Sequence, residues 1–186
     1  MAYINIIPYE ESEGRLREIY DDLIKKRGKL GEVHKMISLN PEMIVHHMKL
    51  YMEIMYGRSP LKRYQREMIG VVVSAANNCE YCVAHHKAAL DHFWKDKTKS
   101  DLLLSNCDSL KLSDSDVALC HYAKDLTNNP KSITEEEHIR KLRESGLDDR
   151  AIMDAALVIS YFNFVNRMII GLGVNIEDDV TGYNYD

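Results

Sequence analysis

The sequence predicts an all-α protein folded as a single domain. Three observations carry that expectation. Apolar residues recur at helical spacing in one segment after another, helix start and stop residues fall between those segments, and no stretch sustains period-2 alternation flanked by hairpin turns. With 186 residues and a hydrophobic fraction of 45%, the chain is long enough to bury one core.

The elements follow in order. Leu16, Ile19, Tyr20, Leu23 and Ile24 share one helical face between Gly14 and Gly28, and Gly28 is placed to stop that helix. Val33, Met36, Ile37 and Leu39 form a short apolar patch. Asn40-Pro41-Glu42 then supplies an N-cap, a proline at the first helical position and an acid in the first turn, for a helix running to about Tyr56 before Gly57. Ser59-Pro60 reads as the next start, of a helix reaching about Ala76. Asn77-Asn78 breaks it, and a further helix begins near Cys79, with Asn78 as its N-cap, and continues past Phe93. Ser113 with Asp116, and Thr134 with Glu137, resemble capping boxes. Gly146-Leu147-Asp148 precedes a long, mostly apolar helix over about 149–170, ended by Gly171 and Gly173. That makes seven or so helices, with no repeat, linker or low-complexity run. The expected organisation is a helical N-terminal extension over about 1–40, a core over about 41–174 and a polar tail over 175–186.

Charge and composition narrow the function. Against 29 Asp+Glu there are 24 Lys+Arg, a formal charge of −5, which argues against nucleic acid as a partner because phosphate binding needs a basic stripe. The segment Met1 to Pro8 lacks a basic leader, and the most apolar windows, Met68 to Ala76 and Ala151 to Phe164, read as too short or too polar to span a bilayer. A cytoplasmic location without a membrane partner is the expectation. Four cysteines are too few for a disulfide scaffold, so in a reducing compartment they stay free unless catalytic or metal-bound.

Two of them, Cys79 and Cys82, form a C-x-x-C pair that His86 follows. With Asn78 as N-cap, Cys79 lies in the first turn, where unpaired N–H groups and the helix dipole favour a thiolate. Cys79, Cys82 and His86 fall at i, i+3 and i+7 on one face, and helical side chains lean toward the N-terminus, so the His86 imidazole points back at the Cys82 sulfur. His85 is rotated roughly 100° away. Glu67 sits in an otherwise apolar run of the preceding helix, on a face with Val71 and Ser74. A buried acid there needs a partner or a proton to share, and a relay with His86 and the cysteines supplies both. Helix-dipole reasoning favours Cys79 as the more acidic thiol, and proximity to the base favours Cys82.

Arg66-Glu67, Ser74 and then Cys79-x-x-Cys82-x-x-x-His86, set within helices, resemble the alkylhydroperoxidase D-like proteins of the carboxymuconolactone decarboxylase superfamily. Ser59-Pro60-Leu61 and Asn163-Phe164-x-Asn166-Arg167 with Gly171-Leu172-Gly173 resemble its peroxidase-related branch, and the likeness covers roughly Pro41 to Val174. The resemblance implies an alkylhydroperoxidase D-like helical fold and a thiol peroxidase acting on hydrogen peroxide or small organic hydroperoxides. Cys82 would be the peroxide-reacting thiol, Cys79 the resolving thiol, and Glu67 with His86 the proton relay. Tyr81, Ser74 and His85 would stand around them. No metal, haem, flavin or other cofactor is implied. The implied partners are the peroxide, an external dithiol reductant (a lipoyl or thioredoxin-like protein) and further copies of the chain in a homo-oligomer. One position departs from the pattern: family members carry a histidine immediately before the second cysteine, where this chain has Tyr81, a hydrogen-bond donor but a poor base.

Other readings stand beside these. Cys79 and Cys82 would also serve as small buried hydrophobes or as half of a zinc site, with Cys107, Cys120 or His121 offering the other half without knuckle spacing. Glu67 would also serve as a surface acid pairing with Arg63. Ser74 fits helix packing. His34, His46, His47, His92, His121 and His138 read as ordinary solvated or half-buried residues, and Cys107 and Cys120 as structural. Met43, Met48, Met52 and Met55 suit core or subunit packing. Asn163, Asn166 and Arg167 are not placed by the sequence. Two alternative functions remain, a carboxymuconolactone decarboxylase-like lyase, to which the thiols are superfluous, and a non-enzymatic redox-sensing or zinc-stabilised interaction module.

Overall fold

The computed structural model describes residues 2–181 and Tyr183. Among these residues there are nine α-helices and no strand: α1 (Gly14–Arg27), α2 (Glu32–Lys35), α3 (Pro41–Tyr56), α4 (Arg63–Ala76), α5 (Glu80–Trp94), α6 (Lys97–Ser105), α7 (Asp114–Asn128), α8 (Arg140–Glu144) and α9 (Asp149–Leu172). The count exceeds the expected seven because the apolar patch after Gly31 closes into the short α2 and the segment after Asp96 forms α6.

α4 is the centre. From Gln65 to Val71 every residue is buried, because α4 packs against α5, α7 and α9 on different sides. Arg66 in the middle of that run is satisfied by carbonyls: it donates to Ile54 O (3.2 Å), Gly57 O (3.0 Å) and Leu61 O (3.2 Å), tying the α3–α4 connection to α4. α4 starts later than Ser59-Pro60 implied. The Ser59 hydroxyl is taken by Asp154 of α9 (2.5 Å) and by the Leu61 N–H (3.1 Å), so Ser59 pins the loop to α9 rather than capping α4. The helix begins at Arg63, after the Lys62 N–H has donated to Gln65 Oε1 (2.8 Å).

α1 buries Leu16, Ile19, Tyr20 and Leu23 against Ile44 of α3, forming a second, smaller core. Ile24, expected on the same face, lies at its edge, 36% exposed. Gly28 ends α1 at φ +79°, the left-handed conformation that suits glycine. The N-cap half of both expected boxes forms: Ser113 Oγ accepts from Asp116 N (3.3 Å), and Thr134 Oγ1 from Glu137 N (3.2 Å). The Thr134 N–H donates to His138 Nδ1 (3.3 Å) rather than to Glu137, and that helix opens with a π turn over Glu135–Ile139.

α9 extends to Leu172 and is, contrary to the sequence reading, long and apolar enough to cross a bilayer by length and composition. Here it is a core helix, packed on α4, α7 and α3. The tail beyond it is not simply polar surface. Glu177 folds back, accepting from Glu32 N (2.7 Å) and the Tyr81 hydroxyl (3.0 Å). The remainder of the expected tail at 182 and 184–186 lies outside the described residues.

Candidate active site

The cysteines sit at the junction of α4 and α5. Asn78 takes φ +56°, turning the chain sharply after α4, and the Cys79 N–H donates to Ser74 O (2.9 Å). Cys79 is therefore the N-cap of α5, and Asn78, expected in that role, belongs to the turn before it. The register shift places Cys82 in the first turn of α5. Both sulfurs now stand at the positive end of the helix, so the dipole no longer favours Cys79 alone. The thiols are 1% and 3% exposed, and their sulfurs are 2.7 Å apart.

Contact between the thiols governs their ionisation. One proton leaves more easily than from a free thiol, because the remaining S–H donates to the thiolate it leaves behind, and Cys79 is lowered on this account. The second proton is held far up by that same hydrogen bond, by burial and by the first negative charge. That second proton is the one on Cys82, which the Cys79 contact first and burial next hold above the ordinary thiol value, with the Asn166 amide offsetting this only in part. Wholly buried, Asn166 also donates to Ser74 Oγ (3.2 Å) and accepts from Asn77 Nδ2 (3.0 Å), locking α9 to the end of α4. Ser74 is thus a packing and hydrogen-bonding residue that braces Asn166. Asn163 serves the same joint by accepting from Asn77 Nδ2 (3.1 Å), while Arg167 points out and bonds back to Asn163.

Glu67 lies on α4, 1% exposed, and reaches both expected partners. Its Oε2 is 2.6 Å from His86 Nδ1 of α5, and its Oε1 is 2.6 Å from Arg63 Nη2, an ion pair off hydrogen-bond alignment. Burial pushes the carboxyl up, but His86 and Arg63 outweigh it and hold the pKa below the usual value. The His86 ring meets the Phe162 edge at a centroid distance of 4.4 Å and 79°. Phe162 gets this close because Gly70 lies beneath it: a Cβ there would stand 2.8 Å from Phe162 Cε2.

Cys82, Glu67 and His86 line one cavity of about 90 Å³, room for a few waters or a small peroxide. Its other walls include rings of Tyr51, Tyr81, Tyr161 and Phe162 and two residues from outside the core, Arg27 and His34. Cys79 borders a separate depression beside Asn78, Glu80 and Ile176. His85 lines the same cavity as Cys82, its Nε2 2.8 Å from Glu177 Oε2 and its ring on Tyr81 at 4.4 Å. Tyr81 accepts from Val33 N (3.2 Å) and donates to Glu177. Burial first, and Glu177 next, push its phenol above the ordinary value, so it supplies no base. Burial alone would raise Glu177, but His85 and the Glu32 N–H pull it down to about 2.

Sequence reasoning missed three participants: Glu177, His34 and His47. The two histidines, read as ordinary, are buried in the cavity wall, where burial lowers them to about 3 and about 4. His34 Nδ1 accepts from Gly31 N (3.1 Å), and His47 Nε2 lies 3.2 Å from the Tyr161 hydroxyl. A histidine third in a four-residue helix after Gly31 gives no sequence signal of burial. Among the described residues, the cluster compact enough to hold a metal ion is Cys107, Asp108 and His121, and it includes neither Cys79 nor Cys82.

The family model described as PA26 p53-induced protein (sestrin) matches residues 2–185. No curated protein matches the chain by sequence. Among solved structures, the chain is similar to a peroxidase-related protein of Silicibacter sp. TM1040, at 27% identity over 98% of this chain and 92% of that one, with a TM-score of 0.83. A peroxidase-related protein with an alkylhydroperoxidase AhpD core from Ralstonia eutropha JMP134 superposes with a TM-score of 0.86 at 23% identity, covering 96% and 94%. A cysteine-to-alanine form of the debrominase Bmp8, in complex with 2,3,4-tribromopyrrole, has a TM-score of 0.80 at 16% identity, covering 96% and 95%. The fold is the alkylhydroperoxidase D-like fold of peroxidase-related proteins.

Proposed function

The chain belongs to the PA26 p53-induced protein (sestrin) family, and from its alkylhydroperoxidase D-like fold and site we propose that it is a thiol-dependent peroxidase. One observation carries the reading: two buried sulfurs in contact, one of them opening on a cavity that also holds the Glu67–His86 pair. The Cys82 thiolate attacks one oxygen of hydrogen peroxide or a small organic hydroperoxide. The O–O bond breaks, and the leaving oxygen takes a proton from His86, whose Nδ1 Glu67 fixes. The resulting Cys82 sulfenic acid condenses with Cys79, releasing water and forming a disulfide. An external dithiol, such as a lipoyl or thioredoxin-like protein, then reduces it from the Cys79 depression.

Assigning attack to Cys82 rests on the cavity, which that sulfur shares with Glu67 and His86; the contact with Cys79 and burial raise the Cys82 thiol and Asn166 offsets this only in part, so the Cys82 thiolate forms when the proton between the two sulfurs passes to Cys79. The exposed apolar residues Met153, Leu157 and Phe164 on one face of α9, with Met43 and Leu50 on α3 beside Phe164, support a homo-oligomer. The test is peroxide consumption with a recycling dithiol. Cys82→Ser abolishes turnover. Cys79→Ser consumes about one equivalent and stops with sulfenic acid on Cys82. Wild-type consumption by Cys82→Ser overturns the assignment. Turnover of a carboxylactone surviving loss of both thiols would replace it with lyase chemistry.

A further inference from the structure

Cys82 is 3% exposed, so a molecule that reaches it has to pass the wall of its cavity. Every described residue of that wall but one lies on α1, α2, α3, α4, α5 or α9; the exception is Tyr183, in the tail beyond α9. Tyr183 is seated on two sides. Its ring meets the His85 ring at a centroid distance of 5.6 Å and 67°, and its hydroxyl lies on the Gly31 backbone, where a Cβ would stand 2.6 Å from the phenolic oxygen. The tail leading to it is held by polar contacts. The Glu177 carboxylate accepts from Glu32 N (2.7 Å) and the Tyr81 hydroxyl (3.0 Å) and meets His85 Nε2 (2.8 Å). Lys29 donates to the Asp179 carbonyl and to the Thr181 carbonyl (3.3 Å), and its Nζ stands 5.5 Å from the Tyr183 ring centroid. Among the described residues of 175–183, none joins either apolar core. Moving a helical wall would break core packing, whereas the tail exchanges its bonds for bonds to water. It is the part of the wall that opens at least cost.

We propose that Tyr183, seated by the Glu177 latch, is the specificity-determining residue of this cavity, closing its wall so that only slender molecules pass to Cys82. Resting on the thiol peroxidase reading, the substrate class is hydrogen peroxide and short-chain alkyl hydroperoxides, and a hydroperoxide that carries an aryl ring is turned back. A cavity of about 90 Å³, room for a few waters, takes the peroxide group and little beyond it. Tyr183 acts by shape alone, and the chemistry stays with Cys82, Cys79, His86 and Glu67.

Two variants of the full chain open the wall from opposite sides. Tyr183→Ala removes the ring, and Gly31→Ala sets a methyl where the hydroxyl lies, at a residue whose φ of −81° suits alanine. The first readout needs no peroxide. Reduced protein is treated with iodoacetamide or with the bulkier N-phenylmaleimide, and tandem mass spectra of the tryptic 67–87 peptide, which carries both Cys79 and Cys82, place the label on Cys82. In both variants the ratio of bulky to small labelling at Cys82 rises by about tenfold or more. The second readout is peroxide consumption with a recycling dithiol. Cumene hydroperoxide gains about tenfold in kcat/KM over hydrogen peroxide, whose own value stays within about threefold. Glu177→Ala, which unlatches the tail, moves both ratios the same way. A wild-type Cys82 that takes both reagents equally well, or a labelling ratio that neither Tyr183→Ala nor Gly31→Ala moves, overturns the proposal. Wild-type protein that consumes no peroxide overturns the peroxidase reading instead, and the labelling ratio then decides the role of Tyr183.

Discussion

Glu67→Gln removes a single charge from a carboxylate that is 1% exposed and lies 2.6 Å from both His86 and Arg63. The amide keeps the shape but turns an N–H₂ toward one of the two donors and leaves the Arg63 guanidinium without its counter-ion. Removing one partner of a buried pair costs about 3–5 kcal/mol. Arg63 keeps 18% of its side-chain exposure, which screens the orphaned charge and points to the lower end, about 3 kcal/mol. With a urea slope of about 2 kcal/mol per molar, the unfolding midpoint falls by about 1.5 M. Arg63→Met removes the orphan while keeping an apolar stem against Tyr56, whose ring lies 4.0 Å from the guanidinium carbon. In the Glu67→Gln/Arg63→Met protein about half or more of the lost stability returns. Peroxide turnover does not: both variants stay about 10²–10⁴-fold slow, because the acid that orients His86 is gone. Urea unfolding and peroxide consumption per folded molecule read the two effects separately. A single-variant loss below about 1 kcal/mol, or a double variant no more stable than the single, refutes the burial argument. Wild-type turnover by the folded double variant refutes the relay.

Gly70→Ala places a methyl 2.8 Å from Phe162 Cε2 and 2.9 Å from Cζ, within a packed core. Overpacking of about 1–3 kcal/mol exceeds the roughly 1 kcal/mol gained from helix propensity, so melting falls modestly. The displaced Phe162 ring shifts His86 and slows peroxide turnover, and a higher melting temperature with unchanged turnover would contradict this packing. Acid should destabilise the fold early. His34 and His47, lowered to about 3 and about 4, are held neutral, so the unfolded chain binds more protons between pH 6.5 and those values. Their contribution is complete above about pH 6.5 and is lost as pH falls; by pH 4.5 the two together amount to about 4–5 kcal/mol. Urea midpoints at pH 7 and 4.5 measure it, and equal midpoints would show the histidines protonated within the fold. Tyr81→Phe removes the hydroxyl between Val33 N and Glu177, lowering stability by about 1–2 kcal/mol and speeding hydrogen exchange at Val33. Unchanged exchange would mean that the tail is not held there.

Much of this was legible in the sequence because it is local. The helical face of Leu16, Ile19, Tyr20 and Leu23, the Gly28 stop, the Pro41 start and the long apolar α9 all follow from spacing and caps within one or two turns. The same locality placed Glu67, Cys82 and His86 together, since α4 and α5 are consecutive and joined by a tight turn. What escaped depends on contacts between distant segments. Ser59 resembles a cap but is claimed by Asp154, 95 residues away, and Glu177 reaches Glu32 across 145 residues with no periodic signal in the tail. The Asn78 error was finer: asparagine suits both an N-cap and a left-handed turn, and the turn won because the chain must reverse after α4. His34 and His47 were missed because burial of a histidine is decided by what packs over it, here the α1–α3 core and Tyr161.

The most direct test is to add one equivalent of hydrogen peroxide to the fully reduced protein at neutral pH, then block free thiols and weigh the 67–87 peptide. The account predicts a loss of two hydrogens from that peptide, the Cys79–Cys82 bond, formed faster than in His86→Ala and absent in Cys82→Ser. Both thiols of that peptide still alkylating after the peroxide is consumed would contradict it.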